Sequence, residues 1–108
     1  MNTRLHQRNI FSQRLKDARI FRGLSQKVLG IAAGIDEFVA STRINRYEKG
    51  VHEANIVTAN RLAEALNIPL AYFYAANDNL AKMILLFSEL PPSHQTELLV
   101  ALEDMRTK

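Results

Sequence analysis

The sequence has no cysteine and no long apolar run. A chain without cysteine forms no disulfide, no thiolate metal site and no cysteine nucleophile. None of its apolar stretches approaches the roughly 18 residues of a membrane-spanning helix, and its polar, basic amino terminus lacks the pattern of a signal peptide. These absences predict a cytoplasmic protein that does not associate with a membrane.

Residues that carry catalysis or bind metal are also sparse. The three histidines, His6, His52 and His94, are isolated in the sequence and lack a partner at metal-ligand spacing. The four glycines are scattered, so they form no phosphate-binding loop, and no Ser/His/Asp set has a recognisable context. The sequence therefore indicates a protein that is not an enzyme and that uses no metal or cofactor.

Basic residues are concentrated in the first half of the chain. Residues 1 to 50 contain ten Lys or Arg and four acids, a net charge of +6, whereas residues 51 to 108 contain four and seven, a net charge of −3. This asymmetry favours a basic face that meets a polyanion. The alternative is an ordinary solvated surface, which is the commoner meaning of a cluster of charges.

Apolar periodicity and capping residues divide the 108 residues into short helices and predict one small core. Residues 1–11 are polar and basic and are predicted to form a flexible arm. Helices are predicted over 12–22, 25–33, 41–49 and 56–66, followed by a helical turn at 69–74. The stretch 75–79 has no apolar periodicity and marks a boundary. We therefore expect a helical domain at 12–78 and a C-terminal extension at 79–108.

The second predicted helix and the segment after it contain two unusual features. Gly30 lies in mid-helix, where glycine costs about 1 kcal/mol relative to alanine, so close approach by a neighbouring helix is expected. The segment IDEFVA that follows Gly34 predicts neither a regular helix nor a simple turn, although Asp36 can cap a short turn. Three of its apolar residues are expected in the core: Ile35, Phe38 and Val39.

The stretch STRINRYEKG, residues 41 to 50, predicts a short helix with one apolar side. Ser41 is a favourable N-cap and Gly50 a favourable stop. Ile44 and Tyr47 form the predicted buried side. The remaining positions are basic, hydroxyl-bearing or amide-bearing: Thr42, Arg43, Asn45, Arg46 and Lys49. A small helix of this kind fits the major groove of DNA.

The extension predicts a helical hairpin interrupted by Pro91 and Pro92. The residues predicted to face inward are Leu80, Met83, Ile84, Phe87 and Leu90, then Leu98, Ala101, Leu102 and Met105. Further apolar residues lie off these stripes: Leu85, Leu86, Leu99 and Val100. This surplus favours contact with a partner subunit. The alternative is that these residues only cover the flank of the core.

Several motif pieces in order resemble the helix-turn-helix domain of the phage-repressor and Cro type, the XRE family. They are GLSQ at 23–26, Gly30 with Ala33 and Gly34, INRYEKG at 44–50, and RLAEALNIPLAYFY at 61–74. The resemblance covers about residues 12–76 and implies an all-α, five-helix, lambda-repressor-like domain, here with a C-terminal helical hairpin extension. It implies a positioning helix near 25–33, a recognition helix near 41–49, and a partly buried ion pair between Arg19 and Glu48.

One departure from the family pattern concerns the connection before the recognition helix. About six steps usually separate the turn glycine from the recognition-helix isoleucine, whereas Gly34 and Ile44 are ten steps apart. Two geometries are compatible with this spacing: an enlarged loop before an unchanged helix, or a helix that starts early, near Asp36. The capping potential of Ser41 favours the enlarged loop.

The resemblance assigns Ser41, Thr42 and Arg46 to base-facing positions, and Arg43 and Lys49 to phosphates. The Gln26 side chain, at a helix start, is expected beside another phosphate. A guanidinium can bond guanine O6 and N7 together, so Arg46 is the predicted specificity residue. Its alternative role is that of a solvated or ion-paired surface arginine.

The functional prediction is a transcriptional regulator, and more narrowly a repressor. It would bind a palindromic operator in double-stranded DNA as a homodimer, with residues 79–108 supplying the dimer contact. The alternative is an antitoxin or adaptor, which would use the fold and its apolar hairpin to hold a protein partner such as a toxin.

Overall fold

The computed structural model of the protein describes residues 3–107, and all regular structure in this range is helical. The elements in order are α1 Thr3–Phe21, α2 Gln26–Ala32, α3 Ala40–Glu48, α4 Ile56–Leu66, a 3₁₀ helix at Leu70–Tyr74, α5 Asp78–Glu89 and α6 Pro92–Thr107. The predicted all-α fold class is confirmed.

Helix α1 is longer than predicted and includes most of the expected arm. Residues 3–11 are helical, so the prediction of a flexible segment is wrong there; residues 1 and 2 lie outside the described residues. The helix is stabilised by tertiary contacts that polarity did not reveal. Phe11 is buried, with its ring centroid 4.8 Å from that of Phe73, and Arg8 Nη1 donates to the carbonyl of Gly50 at 3.3 Å.

Local side-chain caps set two of the helix starts as predicted. The Ser25 hydroxyl accepts the N–H of Val28 at 3.0 Å at the start of α2, and the Asn55 amide oxygen accepts that of Thr58 at 2.9 Å at the start of α4. Asn67, in the left-handed region with φ 54°, ends α4. These three predicted boundary residues are confirmed.

The connection between α2 and α3 is an enlarged turn, as the spacing favoured. Asp36 Oδ1 accepts the N–H of Phe38 at 2.8 Å, which caps this turn. The turn leads directly into α3, which begins at Ala40, so the prediction of Ser41 as the N-cap is wrong. The predicted burial of Phe38 and Val39 is also wrong, since they are 88% and 44% exposed. Ala40, fully buried, takes the inward position instead.

The core lies where α1, α2, α3, α4 and the 3₁₀ helix meet. Six large side chains are fully buried there: Leu15, Leu29, Ile44, Leu62, Leu66 and Phe73. The sequence predicts five of these side chains to face inward. The sixth, Phe73, lies in the helical turn predicted at 69–74. Burial of a side chain of this size contributes about 1.5–3 kcal/mol, so this cluster holds the first four helices in fixed positions.

The C-terminal hairpin is attached to the core through a face of α5 that shares Ile84 with the predicted one but is otherwise shifted. Ala81 of α5 is buried, and Ile84 and Leu85 pack against the core. Leu80, expected inward, is 52% exposed, because the packed face of α5 follows Ala81, Ile84 and Leu85. Helix α6 has no buried residue, although Gln95 Nε2 donates to the Phe87 carbonyl at 2.9 Å.

Much apolar surface is consequently left exposed on the hairpin. The exposed large apolar residues there are Leu80, Met83, Leu86, Leu99, Val100, Leu102 and Met105. The radius of gyration, 15.6 Å, exceeds the roughly 13 Å typical of a compact domain of this length. The difference is consistent with an α6 that extends from the body of the protein.

Candidate nucleic-acid interface

Close contact between α2 and α3 is made possible by Gly30. A Cβ built at Gly30 would lie 2.7 Å from the Cβ of Ala40, and 3.1 Å from its Cα. Such distances are shorter than van der Waals contact, so only glycine fits at this crossing. The expectation of close approach by a neighbouring helix is confirmed, and the two small residues fix how α3 sits against α2.

A polar network fastens the carboxyl-terminal part of α3 to α1. Arg19 donates from Nε and Nη2 to the two carboxylate oxygens of Glu48, at 2.6 and 3.0 Å, so the ion pair implied by the resemblance is present. Both side chains are largely buried, with exposures of 13% and 4%. The hydrogen bonds that Arg19 donates to Glu48 raise the pKa of Arg19 despite the opposing effect of burial.

Gln26 extends this network from α2 to α3. Its Nε2 lies 3.2 Å from Asn45 Oδ1 and 3.2 Å from Glu48 Oε1. The side chain predicted to lie beside a phosphate therefore contacts α3 in the protein. Asn45, which is half-buried, accepts this bond on the inner edge of the helix.

The outer surface of α3 is polar and exposed. Ala40, Ile44 and Tyr47 form its buried side. Five of the six residues predicted to contact DNA are exposed here: Ser41, Thr42, Arg43 and Arg46 on the helix, and Lys49 directly after its end. Within residues 6–107, the side chain of Arg46 forms no hydrogen bond or ion pair, so its guanidinium is free for a ligand.

Two arginines, Arg43 and Arg8, lie beside this outer surface near the end of α3, with the acidic Glu53 in the same cleft. Arg43 Nη2 donates to the Tyr47 hydroxyl at 3.1 Å, and its guanidinium carbon lies 5.9 Å from that ring's centroid. Arg8 and His52 line the same open cleft. The sequence predicts Arg8 in the flexible arm. Arg8 lies three residues before Phe11, almost one helical turn, and this spacing places both residues on the same side of α1.

Helices α2 and α3 form a helix-turn-helix unit. They are short and joined by a turn, and α3 is fastened on its inner side and polar on its outer side. The family model described as a helix-turn-helix domain matches residues 12–79, which is more than half of the chain. The protein therefore belongs to this helix-turn-helix domain family.

A solved structure gives a second comparison. The chain is similar to the crystal structure of the transcriptional regulator BswR, with 46% sequence identity and a TM-score of 0.82. The alignment covers 86% of this chain and 92% of that chain. No curated protein matches the sequence. The similarity extends beyond the helix-turn-helix unit, because the covered share exceeds the residues of the family match.

Among the residues that the structure describes, no group of three or more His, Asp or Glu side chains is arranged to hold a metal ion. No helix in the same part of the chain is long and apolar enough to cross a membrane.

Proposed function

We propose that the protein is a DNA-binding transcriptional repressor that binds a palindromic operator as a homodimer. The observation that carries this proposal is the outer surface of α3, where Arg46 is exposed and unpaired among the described residues while the inner side is fastened by Ile44, Tyr47 and Glu48. A rigid helix with a free, polar outer surface can enter the major groove without losing contacts to its own core.

The residues of α3 take different roles in the proposed complex. Ser41, Thr42 and Arg46 face the bases, and Arg46 bonds a guanine at O6 and N7, which contributes about 1–3 kcal/mol of discrimination. Arg43 and Lys49, at the edges of the same surface, contact phosphates. These phosphate contacts set the position of the helix along the duplex but carry no sequence information.

Gln26 takes a second role in this proposal, besides the phosphate contact predicted for it. Because its Nε2 is within hydrogen-bonding distance of Asn45 and Glu48, we assign it the task of holding α3 at the correct angle. It still lies at the start of α2, next to the cap Ser25.

Dimer formation in this proposal depends on the hairpin of α5 and α6. A helix of 16 residues with none buried is unusual in a stable monomer, since a helix gains most of its stability from packing an apolar face. A second copy of the chain would cover the exposed leucine, valine and methionine side chains. The two recognition helices of such a dimer would lie about 34 Å apart, one turn of DNA.

The proposal is tested by comparing Arg46→Ala with Arg61→Ala. Arg61 is an exposed arginine on α4 and so serves as a matched control. Duplexes selected from random DNA by the full-length protein provide the probe. Arg46→Ala should weaken binding to the best duplex by about 10-fold or more and relax the preference at one base pair, whereas Arg61→Ala should change little.

The same experiment separates the regulator from the antitoxin or adaptor alternative. If the full-length protein selects no sequence and shows no salt-dependent DNA binding, the regulator proposal is wrong. The adaptor role would then be supported if the same protein partner co-purifies stably with the wild type and with Arg46→Ala, because the partner would be held by another surface.

A further inference from the structure

Arg14 is a buried arginine with an unusual set of partners. It is 7% exposed and lies in the middle of α1. Its Nε donates to the carbonyl of Ala75 at 2.9 Å, and its Nη2 to the carbonyl of Ala76 at 3.2 Å and to Asp78 Oδ1 at 3.0 Å. The guanidinium carbon also lies 5.9 Å from the ring centroid of Tyr72.

All of these partners belong to the junction between the 3₁₀ helix and α5. A buried guanidinium is unfavourable unless its donors are paired, and its planar fork bonds acceptors only in a fixed arrangement. The carbonyls of Ala75 and Ala76 therefore hold the junction in one position relative to α1. The Asp78 side chain is 94% exposed, so its ion pair alone contributes little.

Helix α1 also holds the recognition helix. Ser12, two residues before Arg14, donates from its hydroxyl to the carbonyl of Tyr47 at 2.6 Å in a buried hydrogen bond. Arg19, further along the same helix, pairs with Glu48. Helix α1 thus holds the carboxyl-terminal end of α3 through Ser12 and Arg19. Between these two residues, Arg14 holds the start of α5.

The position of α5 depends on few other contacts. After the junction, Ala81 is its only buried residue, and Ile84 and Leu85 pack against the core while remaining partly exposed. Helix α6 adds no buried residue. The orientation of the hairpin relative to α3 is therefore set chiefly at the junction and at the first two turns of α5.

We infer that Arg14 is a positioning residue that fixes the distance and rotation between the two recognition helices of the dimer. This inference rests on the proposed function, because it requires a dimer formed through the hairpin and bound to two half-sites. One base pair of added spacing moves a half-site by about 3.4 Å and rotates it by about 34–36°. A rigid junction accepts one spacing, whereas a loose junction accepts several.

The test uses the full-length protein and a palindromic duplex selected from random DNA. Affinity is measured for this duplex and for versions with one base pair inserted or deleted between the half-sites. The wild type should lose about 10-fold or more on either change. Arg14→Gln should bind the best spacing about 10-fold more weakly and should discriminate among the three spacings by less than about 3-fold.

Two measurements separate positioning from a general loss of structure. Sedimentation should show Arg14→Gln as the same dimer as the wild type, and a duplex with one half-site should bind both proteins within about 2-fold. Arg14→Lys keeps the charge and can reach one carbonyl, so it should restore part of the spacing preference. If Arg14→Gln does not fold, Arg14→Lys should show a weakened preference with an intact dimer.

The outcomes distinguish failure of this inference from failure of the proposed function. If Arg14→Gln is a folded dimer and keeps the spacing preference of the wild type, the role of Arg14 is overturned and the regulator proposal stays intact. If Arg14→Gln does not fold, the same result with Arg14→Lys as a folded dimer has the same meaning. A wild-type protein that selects no palindrome, or that is a monomer, would overturn the proposed function itself and this inference with it.

Discussion

At the scale of single residues, the Arg19–Glu48 pair holds the recognition helix most directly. Replacing Glu48 by alanine leaves the guanidinium of Arg19 without its charged partner in a site that is largely buried. Loss of one member of a buried pair costs about 3–5 kcal/mol. Urea unfolding followed by circular dichroism should show this decrease in the free energy of unfolding of Glu48→Ala.

Glu37→Ala is the control for that experiment. Glu37 is exposed in the turn before α3, so its removal should change the free energy of unfolding by less than about 0.5 kcal/mol. Equal effects of the two substitutions would contradict the structural role assigned to Glu48. The difference between them should persist in high salt, because a buried pair is screened much less than an exposed one.

Individual residues also show where sequence reasoning stops. Arg19 and Glu48 could be paired only through the family resemblance, since nothing local links two residues in different helices. The apolar character of Phe38 predicts a core position, yet the turn capped by Asp36 directs this side chain to solvent. Arg14 could not be recognised at all, because two of its partners are backbone carbonyls more than 60 residues away and nothing local links it to Asp78.

At the scale of elements, the crossing of α2 and α3 gives a prediction about Gly30. Gly30→Ala places a Cβ 2.7 Å from that of Ala40, and overpacking of this kind costs about 1–3 kcal/mol. This cost should exceed the gain of up to about 1 kcal/mol that alanine brings inside a helix. Thermal or urea unfolding should therefore show a net loss of stability.

A second substitution tests whether the clash is the cause. Ala40→Gly removes the opposing methyl group, so Gly30→Ala should be better tolerated in that background than in the wild type. The two changes should thus be non-additive. Strict additivity would show that Gly30 is required for another reason, such as backbone flexibility.

The 3₁₀ helix gives a prediction about pH. Burial, with a smaller contribution from Asp17, raises the pKa of Tyr72 above its ordinary value of 10.0. The hydroxyl of Tyr72 therefore ionises at a higher pH in the folded state than in the unfolded state. The stabilisation is complete below about pH 10 and is lost as the pH rises through the folded-state pKa.

Tyr72→Phe removes the ionisable hydroxyl. The free energy of unfolding of the variant should therefore fall less than that of the wild type over the same alkaline range. Urea unfolding at several pH values above 9 gives the comparison, and absorbance of tyrosinate reports the ionisation directly. Identical pH profiles for the two proteins would show that Tyr72 does not titrate differently in the folded state.

Element positions were easier to predict than element ends. The helices at 25–33 and 56–66 followed from apolar spacing and from the caps Ser25 and Asn55, which act within one helical turn. The start of α1 did not follow, because the bond from Arg8 to Gly50 joins distant parts of the chain. The start of α3 shifted because the preceding turn, and not a side chain, leads into it.

At the scale of the whole molecule, the exposed hairpin predicts what happens when α6 is removed. A chain truncated after Pro91 loses no buried residue, because α6 contains none, and it keeps the buried Ala81 of α5. It should unfold cooperatively with helical circular dichroism and sediment as a monomer. Affinity for a two-half-site duplex should fall by about 10²–10⁴-fold, since the linked second contact is lost.

Affinity of the truncated protein for a single half-site should remain close to that of the full-length chain, which is the internal control. If the truncated chain remains a dimer, the dimer contact does not lie on α6. The division into a helix-turn-helix domain at 12–78 and an extension at 79–108 remains a prediction, which this experiment addresses together with the dimer.

Selection of bound duplexes from random DNA shows whether α3 reads base sequence. The purified full-length protein is mixed with a random pool, and the bound molecules are sequenced after several rounds. We expect an inverted repeat whose half-site centres lie about one helical turn, roughly 34 Å, apart, with at least one guanine whose preference disappears in Arg46→Ala. Recovery of no shared sequence, or of a motif that Arg46→Ala selects equally well, would contradict the assignment of α3 as the helix that reads DNA.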